Sequence, residues 1–370
     1  MNYYKKGYLF KLELFNRLFK DLSILYVIWP LFHFWTYSAF IHEKMIINKY
    51  PKIICFTFNI FSEYGILVFS TVYLLRNDLP ASSATYVLVQ SIIHFFKMHS
   101  YTYTNRDYRE NKINYKKNKD NNDNVIKLIS SYPDNINLRN FFYYLLTPTL
   151  CYQENYPSSG KFRIKYFILK CLKAMFCLIL LYYIYTEAIE HNISIILTTP
   201  LPVLVIEMYV PMTFICLLLF YLIFECILPG FAELACFGDR QFYDDWWNST
   251  DLNEFNRKWN KIIHMFLHRH VYLECKNRFK LNKTLSISFT FMISAIFHEF
   301  VLCVLIKLFR PYMFFMMLLQ IPLLPIGGKY LKKTTFGNLF FWFSNMLGIN
   351  LLFVFYNRET SYAMEKLNTI

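Results

Sequence analysis

Apolar residues in this chain fall in long runs separated by short charged connections, and the runs set the expected architecture. Crossing a bilayer as a helix takes about 20 predominantly apolar residues. Eight segments approach that length: Leu22–Ile41, Ile53–Leu75, Ala81–Phe96, Tyr166–Ile189, Met208–Leu228, Leu285–Ile306, Tyr312–Ile326 and Phe336–Tyr356. The third and seventh are short, yet each is nearly free of charge and flanked by basic residues. No water reaches such segments to satisfy backbone N–H and C=O groups, so helices are the expected spanning structure. No repeat at a fixed period runs through the chain.

Composition supports the same class. Only 17% of the residues are charged and 55% are hydrophobic, against roughly 25% charged in soluble domains. That excludes most soluble readings and leaves a polytopic membrane protein. The aromatic surplus accompanies many Lys, Asn and Ile and carries no functional weight. The net charge of +14 lies between the apolar runs, where it orients the chain and attracts anionic headgroups rather than nucleic acid. Lys and Arg crowd the first, third, fifth and seventh connections, which assigns those to the cytoplasm. The basic N-terminal segment, residues 1–21, breaks that parity, and an amphipathic interfacial helix from Tyr8 to Leu22 accommodates it. The polar stretch Asn111–Asn124 reads as a disordered linker. Nine Cys without a CxxC pair argue against disulfides or zinc, and no cleavage site for a signal peptide follows the first run. The expected organisation is one membrane-embedded domain, 1–370, with cytoplasmic connections at 98–165 and 229–284.

Chemistry concentrates in two places. His298 and Glu299 sit in SAIFHEF, about two-thirds along the sixth run. An ionisable pair at that depth is costly unless it faces a polar cavity, which makes it a functional candidate. The competing reading is a histidine bonded to a neighbouring helix for packing alone. A zinc-protease site is excluded, because Leu302 and Cys303 stand where its second His would be. The second place is FYDDWWNSTDLNEFNRKWNKIIHMFLHRHVY, Phe242–Tyr272. Its rings suit a membrane-interface anchor as readily as a binding site. Trp259, Ile262, Ile263, Phe266 and Leu267 recur at helical spacing and predict an amphipathic helix beside the bilayer. His264 and His268 lie one turn apart, but no acidic residue or Cys completes a metal shell. Asn260, His298 and Glu299, with no nucleophilic Ser or Cys beside a base, suggest transfer in one step. His298 would take a proton from an incoming hydroxyl, and a neighbouring amide or carboxyl would hold the second substrate or the oxyanion.

Four blocks together resemble the membrane-bound O-acyltransferase (MBOAT) family, in the branch of acyl-CoA:diacylglycerol O-acyltransferases that is related to sterol O-acyltransferases. They are SYPDNINLRNFFYYLLTPTLCYQENYP (Ser131–Pro157), ELACFGDRQFYDDWWN (Glu233–Asn248), KWNKIIHMFLHRHVY (Lys258–Tyr272) and SAIFHEF (Ser294–Phe300). FYDDWWN is similar to the branch's FYxDWWN signature, and the HE block to the one holding the family's catalytic His, which maps to His298. YPDN, RHVY at Arg269–Tyr272 and the LFRPYMFFMMLLQIPL text favour diacylglycerol over sterol as acceptor.

The resemblance implies an all-α MBOAT-like bundle of about 8–9 transmembrane helices, with amphipathic cytoplasmic helices around an intramembrane reaction chamber. It also implies multi-pass residence in the endoplasmic reticulum membrane, homo-oligomers, no metal or other cofactor, and acyl-CoA as co-substrate for making triacylglycerol from diacylglycerol. Asn260 is then expected at the thioester, Glu299 beside the catalytic His298, and Phe242, Tyr243, Asp245, Trp246, Trp247, Asn248, Trp259 and His264 at acyl-CoA. Two departures stand out. The span count is one fewer than the usual nine. A Gln expected directly after Gly348 is replaced by Ile349, with Asn350 following, so that polar contact is shifted or absent. Sterol acylation is the alternative within the branch, and protein acylation the one in the wider family. A non-enzymatic transporter, with His298 and Glu299 as an ion or proton site, is the rival class, although no paired broken helices mark it.

Overall fold

The computed structural model describes residues 20, 21, 23–117 and 131–368. Its long elements are all helices, and the one described β-contact is an isolated bridge between Ser158 and Phe237. Two compact units divide the chain.

The first unit contains α1 (Ser23–Ile47), α2 (Lys52–Arg76), α3 (Ala81–Lys117) and most of α4 (Leu138–Leu146). The first three pack on one another in all three pairings. Their interior is polar to an unusual degree, and each charge there has a partner, as burial requires. Arg109 reaches Glu43 at 3.0 Å, and Glu63 accepts from Thr102 at 3.0 Å and lies 3.3 Å from His99. The Lys97 ammonium donates to the carbonyls of Tyr144 and Leu145 at 2.8 and 2.9 Å. It thereby satisfies orphan acceptors at the C-terminal end of α4, where a cation is favoured.

The second unit holds α5 (Ile164–Ser194) and α6 (Leu201–Leu234), each carrying a π turn, at Tyr185–Ile189 and Leu222–Ile227. Three short helices follow: α7 (Leu252–Lys258), α8 (Lys261–Leu267) and α9 (Leu273–Asn277). Then come α10 (Lys283–Ile306), whose residues through Phe300 belong here, α11 (Tyr312–Tyr330) and α12 (Thr335–Asn368). α6 packs on α5 and α12, and α11 packs on α7 and α12. Ile189, Ile196, Leu204, Met208, Met212 and Val354 form one fully apolar cluster in this unit. Beside it Asn350, wholly buried, donates to the Val205 carbonyl at 2.6 Å. The polar residue displaced by one position in the last span therefore ties α12 to α6. Gly337 lets the start of α12 approach the loop before α7, since a Cβ there would lie 2.9 Å from the Thr250 carbonyl oxygen.

Among the described residues, seven helices are long and apolar enough to cross a membrane: α1, α2, α5, α6, α10, α11 and α12. The expected third span, Ala81–Phe96, is helical but forms the first part of α3, whose Ser, Thr, Gln and Lys residues keep it off that list. Asn111–Lys117, expected to be disordered, continues α3 as helix. The rest of that stretch, and the amphipathic helix expected from Tyr8 to Leu22, lie outside the described residues apart from Lys20 and Asp21.

Candidate active site

The segment from Phe242 to Ile263 folds back on itself, so that two of the blocks read from the sequence become one structural piece. The Asp244 amide donates to the Lys258 carbonyl at 2.8 Å, and the Lys261 amide donates to the Phe242 carbonyl at 3.0 Å. The sequence in between supplies its own caps. Asp251 accepts from the Glu254 amide at 2.9 Å, while Glu254 reaches back to the Thr250 amide at 3.1 Å. This is a variant of the capping box, legible as D-x-x-E, in which Glu254 reaches the amide one residue before the N-cap, and it starts α7.

Asn260 interrupts what periodicity alone predicts as one amphipathic helix. It is the N-cap of α8, with Oδ1 accepting from the Ile263 amide at 3.1 Å. Asn is among the strongest N-cap residues, and here capping overrides the apolar spacing. The cap fixes the side chain with its oxygen toward the helix. Its Nδ2, with two donors, makes no hydrogen bond to any described residue.

Rings fill the space inside the fold-back. Phe242 (3% exposed) and Trp246 (4%) are buried. Phe242 clusters with Phe224, Ala232 and Phe237. Trp246 packs edge-on against Phe220 at 5.0 Å and Phe255 at 5.9 Å. Trp259 stacks on Phe255 at 5.6 Å and keeps one side exposed, as does Trp247. The Trp247 carbonyl accepts from the Trp342 indole at 3.0 Å and from Asn338 at 2.9 Å, which pins the knot to α12.

Charges lock the rim. Lys258 bridges Asp245 and Glu254, each at 2.8 Å, and Lys261 pairs with Asp244 at 3.1 Å. The Lys258 ammonium, helped by the Asn248 amide, holds the Asp245 carboxyl below its usual range. Tyr243 donates to Glu225 at 2.6 Å, and Glu225 pairs with Lys170 at 3.2 Å. His264 is half-buried, and desolvation, then the neighbouring His268 and Arg257, push its pKa down.

On α10 the consecutive residues His298 and Glu299 point to different tasks. Glu299 is buried (5% exposed) and accepts from the Phe314 amide at 3.0 Å and from the Tyr356 hydroxyl at 3.0 Å. It therefore joins α10 to the start of α11 and to α12. His298 is exposed, and its Nδ1 lies 2.8 Å from the Ser294 carbonyl one turn earlier on its own helix. A carbonyl only accepts, so that contact requires the proton on Nδ1. In the neutral ring Nε2 then carries the lone pair. The packing partner in this pair is thus Glu299, not the histidine. No hydrogen bond, ion pair or ring contact joins His298 to the Phe242–Ile263 knot.

Several bracing residues were not singled out from the sequence. Trp342, Asn338 and Tyr356 lie far from the motifs they support, and no local pattern marks them. Glu225 carried one available signal, an acid inside an apolar run. No group of three or more His, Cys, Asp or Glu side chains suited to a metal occurs among the described residues.

Comparison with known proteins bears on this arrangement. The family model for the membrane-bound O-acyltransferases matches residues 85–357, more than half of the chain. The chain is 38% identical over 234 residues to the probable sterol O-acyltransferase 1 of Schizosaccharomyces pombe, covering 61% of this chain and 44% of that protein. It is 31% identical over 334 residues to diacylglycerol O-acyltransferase 1 of Arabidopsis thaliana, covering 85% and 61%. With diacylglycerol O-acyltransferase 1A of Glycine max the identity is 29% over 361 residues, covering 92% and 71%. The chain thus spans less than two thirds of the length of the first two of these relatives. With seven helices among the described residues fit to cross a bilayer and a family match running from α3 to α12, the chain is a multi-pass membrane protein and belongs to the membrane-bound O-acyltransferase family.

Proposed function

We propose that the protein transfers an acyl group from acyl-CoA to the free hydroxyl of diacylglycerol, with His298 as general base. The observation that carries the reading is the anchored ring of His298: Nδ1 lies against the Ser294 carbonyl, which leaves Nε2 of the neutral, exposed ring to act as the base. In one step the acceptor hydroxyl gives its proton to Nε2 as its oxygen attacks the thioester carbonyl. A C–O bond forms, the C–S bond breaks, and the proton passes from the imidazolium to the departing CoA sulfur. A thioester is already an activated acyl group, so no enzyme nucleophile is required.

Asn260 has the chemistry for the oxyanion. Its capped Oδ1 fixes the amide plane, and the Nδ2 donors remain for the thioester oxygen. Glu299 acts as a positioning residue that holds α10 through Phe314 and Tyr356. The rim of the knot, with Trp247, Trp259, Asn248 and His264, is the surface assigned to acyl-CoA. Asp245 holds that rim through Lys258, and Phe242, Tyr243 and Trp246 brace the surface from behind. Residence in the endoplasmic reticulum, homo-oligomers and the lack of a metal requirement belong to the same proposal.

Diacylglycerol is preferred as acceptor because the plant relatives align over 85% and 92% of the chain, the S. pombe one over 61%. The higher identity of that shorter match is what favours a sterol as second reading. Purified protein given labelled acyl-CoA with diacylglycerol, cholesterol or a long-chain alcohol separates them. Triacylglycerol as the dominant product is expected. Dominant steryl ester would transfer the reading to sterol, and no product on any lipid would sink both.

A further inference from the structure

Between α5 and α6 runs an apolar groove of about 530 Å³, lined by Lys173, Phe176, Cys177, Leu180, Leu218 and Tyr221. Leu172 and Phe176 in its lining and Met175 beside it are more than half exposed, so lipid chains can reach it from the side. Lys173 lies nine residues into α5, roughly 13 Å along the helix axis. One turn earlier, the more deeply buried Lys170 pairs with Glu225 at 3.2 Å, whereas Lys173 is half-buried. Lys173 has no hydrogen bond or ion pair to any described residue, and neither has the Tyr221 hydroxyl across the groove. An ammonium at that depth in an apolar helix needs an anion or a route to the headgroups. Further along, α5 and α6 form a second groove of about 360 Å³, whose only charged lining residue is Glu187. Two grooves of similar apolar character thus carry opposite charges.

We propose that the Lys173 groove binds an acidic phospholipid. The phosphate sits on the Lys173 ammonium and accepts from the Tyr221 hydroxyl. One acyl chain lies along Phe176, Cys177, Leu180 and Leu218. The charge pattern assigns the Ile164 end of α5 to the cytoplasmic face, whose leaflet is the one rich in anionic lipid. The lipid supplies the counter-charge that Glu225 gives to Lys170.

The test is native mass spectrometry of the purified protein in neutral detergent, titrated with phosphatidylglycerol, phosphatidylcholine or oleate. Wild type and Lys173→Arg should bind the first phosphatidylglycerol about five- to tenfold more tightly than Lys173→Gln does. Glu187→Gln should bind like wild type. Leu180→Trp keeps the cation but fills the tail half of the groove, and should weaken binding by a similar factor. It decides the matter alone if Lys173→Gln does not fold. Equal phosphatidylglycerol affinity in wild type and Lys173→Gln, or in wild type and Leu180→Trp, would overturn the proposal. So would phosphatidylcholine bound as tightly as phosphatidylglycerol, which is chain burial alone, or oleate bound more tightly, which is a fatty-acid site.

Discussion

The Phe242–Ile263 knot and the α10–α12 bundle hold their candidate groups by opposite means. The knot is short-range. Its caps, the ion pairs of Lys258 and Lys261 and two backbone cross-links all fall within about twenty residues of sequence. The bundle is long-range, and Glu299 depends on Tyr356, 57 residues away, to fix a helix whose histidine makes only one local bond. In the knot the amide of Asn260 is positioned by its own cap. In the bundle His298 is positioned by its neighbour. If both regions serve the proposed transfer, damage to one should read out differently from damage to the other.

The largest effect should come from the bundle. His298→Ala removes the base and is expected to lower turnover by about 100- to 10,000-fold, while the elution profile and melting temperature stay close to wild type, because His298 supports no other element. Near wild-type turnover in a well-folded sample would sink the mechanism.

Next is Asn260, where two roles can be separated. Asn260→Ala loses both the cap and the amide, costing about 1 kcal/mol of stability and a barrier increase of about 3 to 4 kcal/mol. Asn260→Ser keeps a good cap and loses the amide donors. If the account holds, Asn260→Ser recovers the melting temperature but not the rate. Recovery of both would leave Asn260 a capping residue.

Tyr356→Phe should be milder. It removes one of the donors to buried Glu299 and is expected to cost about 1 to 3 kcal/mol of stability, with a lower kcat and an unchanged KM for acyl-CoA. An equal change in KM would mean that Tyr356 reaches the acyl-CoA side as well.

The fold class was legible because a bilayer-length apolar run admits few structures. The span count was less so: Ala81–Phe96 carries enough polar side chains to be one part of a helix of 37 residues. His298 and Asn260 stood out as an ionisable group at depth and an amide among rings. What they do locally did not stand out, since Asn260 breaks a helix that the spacing of Trp259, Ile262 and Phe266 predicts as continuous. The division of labour between His298 and Glu299 was also hidden. Adjacent residues on a helix point about 100° apart, and only the packing of α11 and α12 decides which one is buried.

The smallest expected effect is a pH dependence in the knot. Burial disfavours the charged form of His264 in the folded state and, with His268 and Arg257, pushes its pKa below the ordinary value near 6.5. The unfolded chain takes up that proton first. Stability linked to His264 is therefore present above roughly pH 6.5 and lost as pH falls through the lowered folded value. His264→Gln should flatten the acid limb of a melting-temperature profile slightly, and an unchanged limb would assign it to other groups.

The most direct test of the one-step account is a rapid-quench experiment with labelled acyl-CoA, run with and without diacylglycerol, on wild type and His298→Ala. Wild type should form triacylglycerol only when both substrates are present, with no label on the protein at any time, and His298→Ala should form almost none. A labelled acyl group trapped on a Ser or Cys before product appears would contradict it.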